Sequence, residues 1–159
     1  MAPNGLTGSA LVDRKTSADK PLRPMDIALG LIGTRSALAL LQAAFCGARR
    51  YEELIAEAGV STMIGAARLH EFVDAGLMTK RPYKSKQRTR QEYVLTELGL
   101  RCLPVVVALM EVGVAIDPAS ADSRLLHAGC GSPFVHDVQC AAGHPVSPPP
   151  GNHRVAYLP

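Results

Sequence analysis

From Met25 to Ala75 the apolar positions recur at steps of three and four, the spacing of amphipathic helices, in short runs separated by glycine. Met25 to Ile32 reads as a short apolar helix ended by Gly33. RSALALLQAAF, from Arg35 to Phe45, reads as a second, with Leu38, Leu41 and Phe45 on one side and Cys46-Gly47 as its stop. YEELIAEA places Tyr51, Leu54, Ile55 and Ala58 at i, i+3, i+4 and i+7, one inward stripe with the acidic residues turned outward. Gly59-Val60-Ser61 then predicts a tight turn, Gly59 suiting the positive φ of a helix C-cap and Ser61 capping the next start. Thr62 to Ala75 follows as a helix closed by Gly76. A helix, a three-residue turn containing glycine and a second helix form a helix-turn-helix unit, whose second helix fits a major groove; plain helical bundles use the same turn. Gly65, inside that second helix, costs about 1 kcal/mol relative to alanine, which close approach of the preceding helix would explain.

After Gly76 the period changes to two. LMTKRPY from Leu77 and RQEYVLT ending at Thr96 have strand composition, with Gln91, Tyr93 and Leu95 on one face and Glu92 and Val94 on the other. Between them the polar tip KSKQRT makes a β-hairpin with a basic loop. The net charge of the 159-residue chain is only +3, but the stretch from Lys80 to Arg90 holds six basic residues and no acidic one. Such a stripe is the footprint of phosphate binding, or else of an edge hairpin kept soluble by lysines. The candidate DNA-contacting residues are Arg35 and Arg50 near helix starts, Ser61, Thr62, Met63, Ala67 and Arg68 on the second helix, and Lys84, Lys86, Arg88 and Arg90 on the hairpin. Arg68 has the alternative of pairing with Glu71 or Glu57.

Thr96 can cap one long helix, ELGLRCLPVVVALMEVG, in which Leu98, Cys102, Val105, Leu109 and Val112 recur at alternating steps of four and three. With Val106, Val107 and Met110 also apolar, this helix calls for both a domain core and a partner, and a second copy of the chain is the economical answer. The expected fold class is therefore mainly α with a small β-hairpin wing, a winged helix-turn-helix, dimeric. Residues 1–22 are expected to be a tail, 23–116 the winged domain with its dimerisation helix, and 117–159 a C-terminal extension. Pro104 and Glu111 interrupt the longest apolar run, so no membrane span or secretory leader is expected, and the protein is expected to be soluble and cytoplasmic.

From Met25 to Gly113 the sequence resembles the HxlR-type winged helix-turn-helix regulators, relatives of the MarR-like proteins. The pieces that carry the likeness are IALGLIGTRSALALL, then RRYEELIAEAGVSTMIGAARLHEFVDAGLMTKR, then EYVLTELG and the apolar helix after it. The resemblance implies a homodimer that binds double-stranded operator DNA, pseudo-palindromic and near promoters, commonly as a repressor. Three departures stand out. The family's Gly-Lys-Trp triplet is replaced by Gly33-Thr34-Arg35-Ser36; the sensing cysteine before the first helix corresponds to Arg23; and the arginines of the recognition helix are reduced to Arg68.

The four cysteines, Cys46, Cys102, Cys130 and Cys140, are too dispersed for the disulfide framework of a secreted mini-domain. Cys46 and Cys102 sit in apolar helical surroundings and read as structural. His127-x2-Cys130 and Cys140-x3-His144 are two short-spaced pairs that could hold zinc, with His136 as a spare; a Cys130–Cys140 disulfide and a tail without ligand are the alternatives. The run SPPPGNHRVAYLP is expected to be extended or disordered. No Ser-His-Asp, phosphate loop or paired-carboxylate pattern is present, so an enzyme is not expected and no cofactor beyond zinc is. A redox- or metal-responsive regulator using the C-terminal Cys/His residues is the alternative function.

Overall fold

In the computed structural model, residues 22–85 and 88–144 are described. The chain order is α1 (Pro24–Ile32), α2 (Arg35–Phe45), α3 (Tyr51–Ala58), α4 (Thr62–Asp74), β1 (Met78–Ser85), β2 (Arg88–Leu95), α5 (Glu97–Leu100) and α6 (Leu103–Ile116). The expected tail 1–21 and the run after residue 144 lie outside the described residues. The chain divides into two compact units, 1–106 and 107–159.

The first unit is a mainly helical winged helix-turn-helix. Its core is built from Ala37, Leu40 and Leu41 of α2, Leu54 of α3, Leu69 and Phe72 of α4, and Leu77 and Met78 at the start of the hairpin, all essentially buried. The inward stripe of α2 is thus centred on Leu40 and Leu41, while Leu38 and Phe45 are only half-buried. Burying side chains of this size is worth about 1.5–3 kcal/mol each. Local rules set the helix ends. Thr34 accepts a hydrogen bond from the Ala37 amide at 3.2 Å, and Ser61 accepts one from the Ile64 amide at 3.3 Å. Gly59 ends α3 in the left-handed region at φ 60°, as the turn required.

The hairpin is longer than its sequence suggested. β1 and β2 pair antiparallel from Met78↔Leu95 to Ser85↔Arg88, so Lys84, Arg88 and Thr89, expected in the loop, belong to paired strands. Its base is fastened to the helices: the Tyr93 amide donates to the Arg49 carbonyl at 2.8 Å, and Arg50 bridges Glu92 as a rudimentary third strand. The Thr96 hydroxyl donates to the Gly76 carbonyl at 2.6 Å and accepts from the Gly99 amide at 3.1 Å.

The cap at Thr96 is therefore present, but the single long helix expected after it is not. α5 ends at Leu100, Arg101 and Cys102 form a turn, and α6 restarts at Leu103. Pro104 explains the break, since it has no N–H to offer the Leu100 carbonyl and its ring crowds the preceding turn. The break also corrects the apolar seam. Cys102 turns inward and is buried, whereas Leu98, Val105, Leu109 and Val112 are exposed. By length and composition alone, Glu97–Ile116 is apolar enough to cross a membrane, a test that the core helix of a soluble protein also passes, and the break at Arg101 and Cys102 interrupts it.

In the second unit, Asp117 caps a 3-10 turn, Pro118–Ser123. Beyond it, Leu126 bridges Pro133 and the Phe134 amide donates to the Leu125 carbonyl at 3.0 Å. Glu111 accepts from the His136 amide at 3.2 Å and also pairs with the His136 imidazole.

Candidate nucleic-acid interface

α3, its turn and α4 form the helix-turn-helix, and two contacts fix the geometry between the helices. The Tyr51 hydroxyl at the start of α3 donates to the Thr62 carbonyl at the start of α4, at 2.8 Å. Gly65 is buried where α4 meets α3: a Cβ there would overlap Ile55 Cδ1, and Val60 Cγ2 stands 3.4 Å away. The close approach expected from Gly65 is therefore present. With Gly65, Leu69 and Phe72 turned inward, α4 presents Thr62, Met63, Ala66 and Ala67 to solvent. Met63 is 79% exposed and Ile64 is 45% exposed. An apolar side chain this open on the first turn of such a helix has nothing of its own fold to pack on.

Arg68 does not belong to that open face. Its guanidinium meets the Glu71 carboxylate at 2.6 Å, with both side chains only about a quarter exposed (25% and 23%). The ion-pair alternative is the one realised, and α4 offers no free arginine near its N-terminus. Ser61 spends its hydroxyl on the helix cap. Thr62 is the polar side chain left on the first turn, and His70 pairs with Asp74 at 2.8 Å further along.

Apart from Arg35 and the paired Arg68, the candidate cationic side chains lie on the hairpin and in the segment before α3. Lys80, Arg81, Lys84 and Arg90 are all exposed. Cross-strand register places Lys80 and Lys84 on one face, opposite Tyr93 and Thr89, and Arg81 and Arg90 on the other, opposite Glu92 and Tyr83. Lys80 sits 5.6 Å from the centre of the Tyr93 ring, and Arg50 lies 5.2 Å from that of Tyr83. Arg90 reaches Glu52 of α3 at 3.8 Å, a loose surface pair of small energetic value. Lys86 lies outside the described residues, as does the Arg88 side chain. Arg35 is exposed at the first position of α2.

Arg49 was not singled out from sequence, yet it is exposed beside Arg50 with its carbonyl bound to the hairpin. The doublet Arg49-Arg50 ahead of an acidic helix start was the available signal. Glu53 folds back over this segment, accepting from the Arg50 amide at 3.0 Å and the Arg49 amide at 3.2 Å. Those two backbone bonds hold its carboxyl below the ordinary glutamate range. The other Glu53 oxygen lies 3.5 Å from Arg50 Nε, a loose surface pair, so Glu53 engages both the backbone and the guanidinium of this segment.

The cysteines divide differently from expectation. Cys102 is buried, and burial pushes its thiol up; Cys46, expected to be structural, is exposed at the end of α2, its thiol raised by partial desolvation and by the Glu57 charge. Cys130 and Cys140 are exposed free thiols. His127 Nδ1 lies 3.4 Å from Cys130 Sγ, and Cys140 Sγ lies 3.5 Å from His144 Nδ1. Each predicted pair is formed, but the four do not meet: among the described residues no three His, Cys, Asp or Glu side chains gather as a metal site.

Comparison with known proteins places this architecture. Residues 31–120 match the profile of the HxlR-like helix-turn-helix family, more than half of the chain. Two curated relatives, the uncharacterised HTH-type transcriptional regulators Rv3095 of Mycobacterium tuberculosis and Mb3122 of Mycobacterium bovis, are each 36% identical over 106 residues. The match spans 65% of this chain and 66% of theirs, just under two thirds of the relatives' length. The crystal structure of PA1607, described as a candidate transcription factor, superposes with a TM-score of 0.70 at 29% identity, covering 84% of this chain and 94% of that one. A winged helix-turn-helix with this match over most of its first unit belongs to the HxlR-like helix-turn-helix family.

Proposed function

We propose that this protein is a transcriptional regulator that binds double-stranded DNA as a homodimer and represses the genes beside its operator. The observation that carries the reading is the open face of α4, Thr62, Met63, Ala66 and Ala67, flanked by a hairpin whose exposed side chains include Lys80, Arg81, Lys84 and Arg90. α4 enters the major groove. Thr62 supplies hydrogen bonding, and Met63 and the alanines supply apolar contact of the kind that recognises thymine methyl groups. The hairpin and the Arg49-Arg50 segment follow the phosphate backbone, which positions the protein and carries no sequence information of its own. With Arg68 held by Glu71, most of the affinity is electrostatic and the discrimination between sequences is modest.

Two copies related by a two-fold axis present two α4 helices to half-sites about one helical turn apart, ~34–36 Å. The apolar positions Val105, Leu109 and Val112, exposed on one face of α6, are the surface the second copy covers.

The test is fluorescence anisotropy on the DNA immediately upstream of the protein's own gene. If each copy neutralises three or four phosphates, affinity falls roughly 10³-fold or more between 50 and 200 mM salt. Lys84→Ala, which removes one phosphate contact from each copy, lowers the salt slope by about 2 and weakens all sequences alike, whereas Met63→Ala weakens the operator alone and leaves the slope unchanged. Binding that stays flat across the salt range removes the electrostatic assignment, and failure to bind upstream DNA at low salt removes the regulator reading.

A further inference from the structure

We propose that the second unit holds a structural zinc ion between two tight turns, His127–Cys130 and Cys140–His144, which supply a Cys2His2 ligand set. The first turn is closed by the Cys130 and Gly131 amides donating to the His127 carbonyl, at 3.3 and 2.8 Å. The second is closed by the Gly143 amide donating to the Cys140 carbonyl at 2.8 Å and the Cys140 amide donating to the His144 carbonyl at 3.1 Å. Each turn thus sets one sulfur beside one imidazole nitrogen, while the two pairs remain apart from one another.

The separations decide what each pair suits. A tetrahedral zinc ion with bonds of about 2.3 Å to sulfur and 2.0–2.1 Å to nitrogen holds the two donors about 3.5–3.6 Å apart. The observed separations are 3.4 and 3.5 Å. A weak thiol hydrogen bond spans the same distance, so the repetition matters: the same donor pair recurs at the same separation on two turns of one unit. Zinc would draw the turns together across the nine residues Gly131 to Gln139.

Folding energetics point the same way. Among the described residues of this unit, only Val107 and Leu125 are buried. So small a core does not stabilise ordered turns unaided, and units of this kind are held by disulfides or a metal. Both cysteines are reduced and exposed here, and both histidines are exposed. His136 is excluded from the ligand set because its ring is engaged by Glu111.

The experiment uses the full-length chain purified without chelator, with metal measured by plasma mass spectrometry. The expected content is about one zinc per chain. His127→Asn, Cys130→Ser, Cys140→Ser and His144→Asn should each lose most of it, while Cys46→Ser and His136→Asn retain it. A second readout does not depend on any variant: cobalt(II) titrated into the reduced, metal-free chain should give the intense visible bands of a tetrahedral site with thiolate charge transfer, displaced by one equivalent of zinc. Reduced protein that takes up neither metal overturns the proposal. So does zinc content indifferent to the four ligand substitutions, or a Cys130–Cys140 disulfide in a chain that binds no metal after reduction.

Discussion

At the scale of single residues, two glycines make the same demand on space and answer it differently when it is refused. A Cβ on Gly65 would overlap the tip of the Ile55 side chain, which can swing aside; a Cβ on Gly99 would overlap the Leu77 carbonyl oxygen, which is backbone. That oxygen accepts from the Thr96 amide at 3.0 Å and from its hydroxyl at 3.2 Å, so displacing it loosens the junction between the hairpin and α5. Gly65→Ala also gains about 1 kcal/mol of helix propensity, which offsets the cost of moving Ile55. We expect Gly65→Ala to change stability by about 1 kcal/mol or less, and Gly99→Ala to lose about 2–3 kcal/mol through overpacking. Urea unfolding midpoints of the two variants measure the difference, and equal losses would refute it. A close approach at Gly65 was suggested by the sequence, because a glycine inside a helix asks for a reason, and its partner Ile55 was not. Nothing in ELGL announced that the carbonyl pressing on Gly99 would come from Leu77, 22 residues earlier.

At the scale of elements, α3 and α4 were legible because period, cap and stop agree: Gly59 ends α3, Ser61 caps α4 and Gly76 follows it, whereas the Thr34 cap on α2 was not singled out. The errors fell where one residue outweighs a pattern. Pro104 splits a helix whose apolar periodicity runs straight through it, and that split turns Cys102 inward. The Arg50–Glu92 bridge is too short to leave a strand signature, so the link between the hairpin and the start of α3 was not readable. Of the candidate interface, the basic hairpin was plain from composition. The fate of Arg68 was not, since a reader and an ion pair look alike until the rotamer is known. The Glu53 cap on α3 carries a pH prediction. Its carboxyl is held down chiefly by the Arg50 amide and then by the Arg49 amide. A depressed folded-state pKa stabilises the fold above the ordinary glutamate value, near pH 4.3, and the contribution disappears as pH falls through the depressed value. Glu53→Ala should therefore unfold at lower urea than the parent at pH 7, with the gap closing on acidification below that range. A gap that persists at acid pH would show that the charge on Glu53 is not its source.

At the scale of the whole molecule, α6 presents Val105, Leu109, Val112 and Ile116 on one face, at successive steps of four, three and four, and all are exposed in the single chain, Ile116 at 80%. On the same helix Val106 and Val107 are buried, so the exposed row is a second apolar face and not a frayed core. An apolar row of this length is the mark of an interaction surface, and a self-complementary one closes most simply about a two-fold axis. Because the Leu109 side chain is 49% exposed, replacing it leaves the folding of one copy within about 0.5 kcal/mol of the parent. The effect on assembly is different in kind, since two buried carboxylates facing each other across the axis have no partner charge. Leu109→Glu should run as a monomer in sedimentation velocity at concentrations where the parent is a dimer, with an unchanged urea midpoint when both are monomeric. On operator DNA it should bind one half-site, and the slope of log affinity against log salt should fall to about half, because half the phosphates are engaged. A dimer that survives the substitution would place the two-fold contact elsewhere. A monomer that keeps the full slope would mean that the cationic hairpin of one copy already spans all the contacted phosphates.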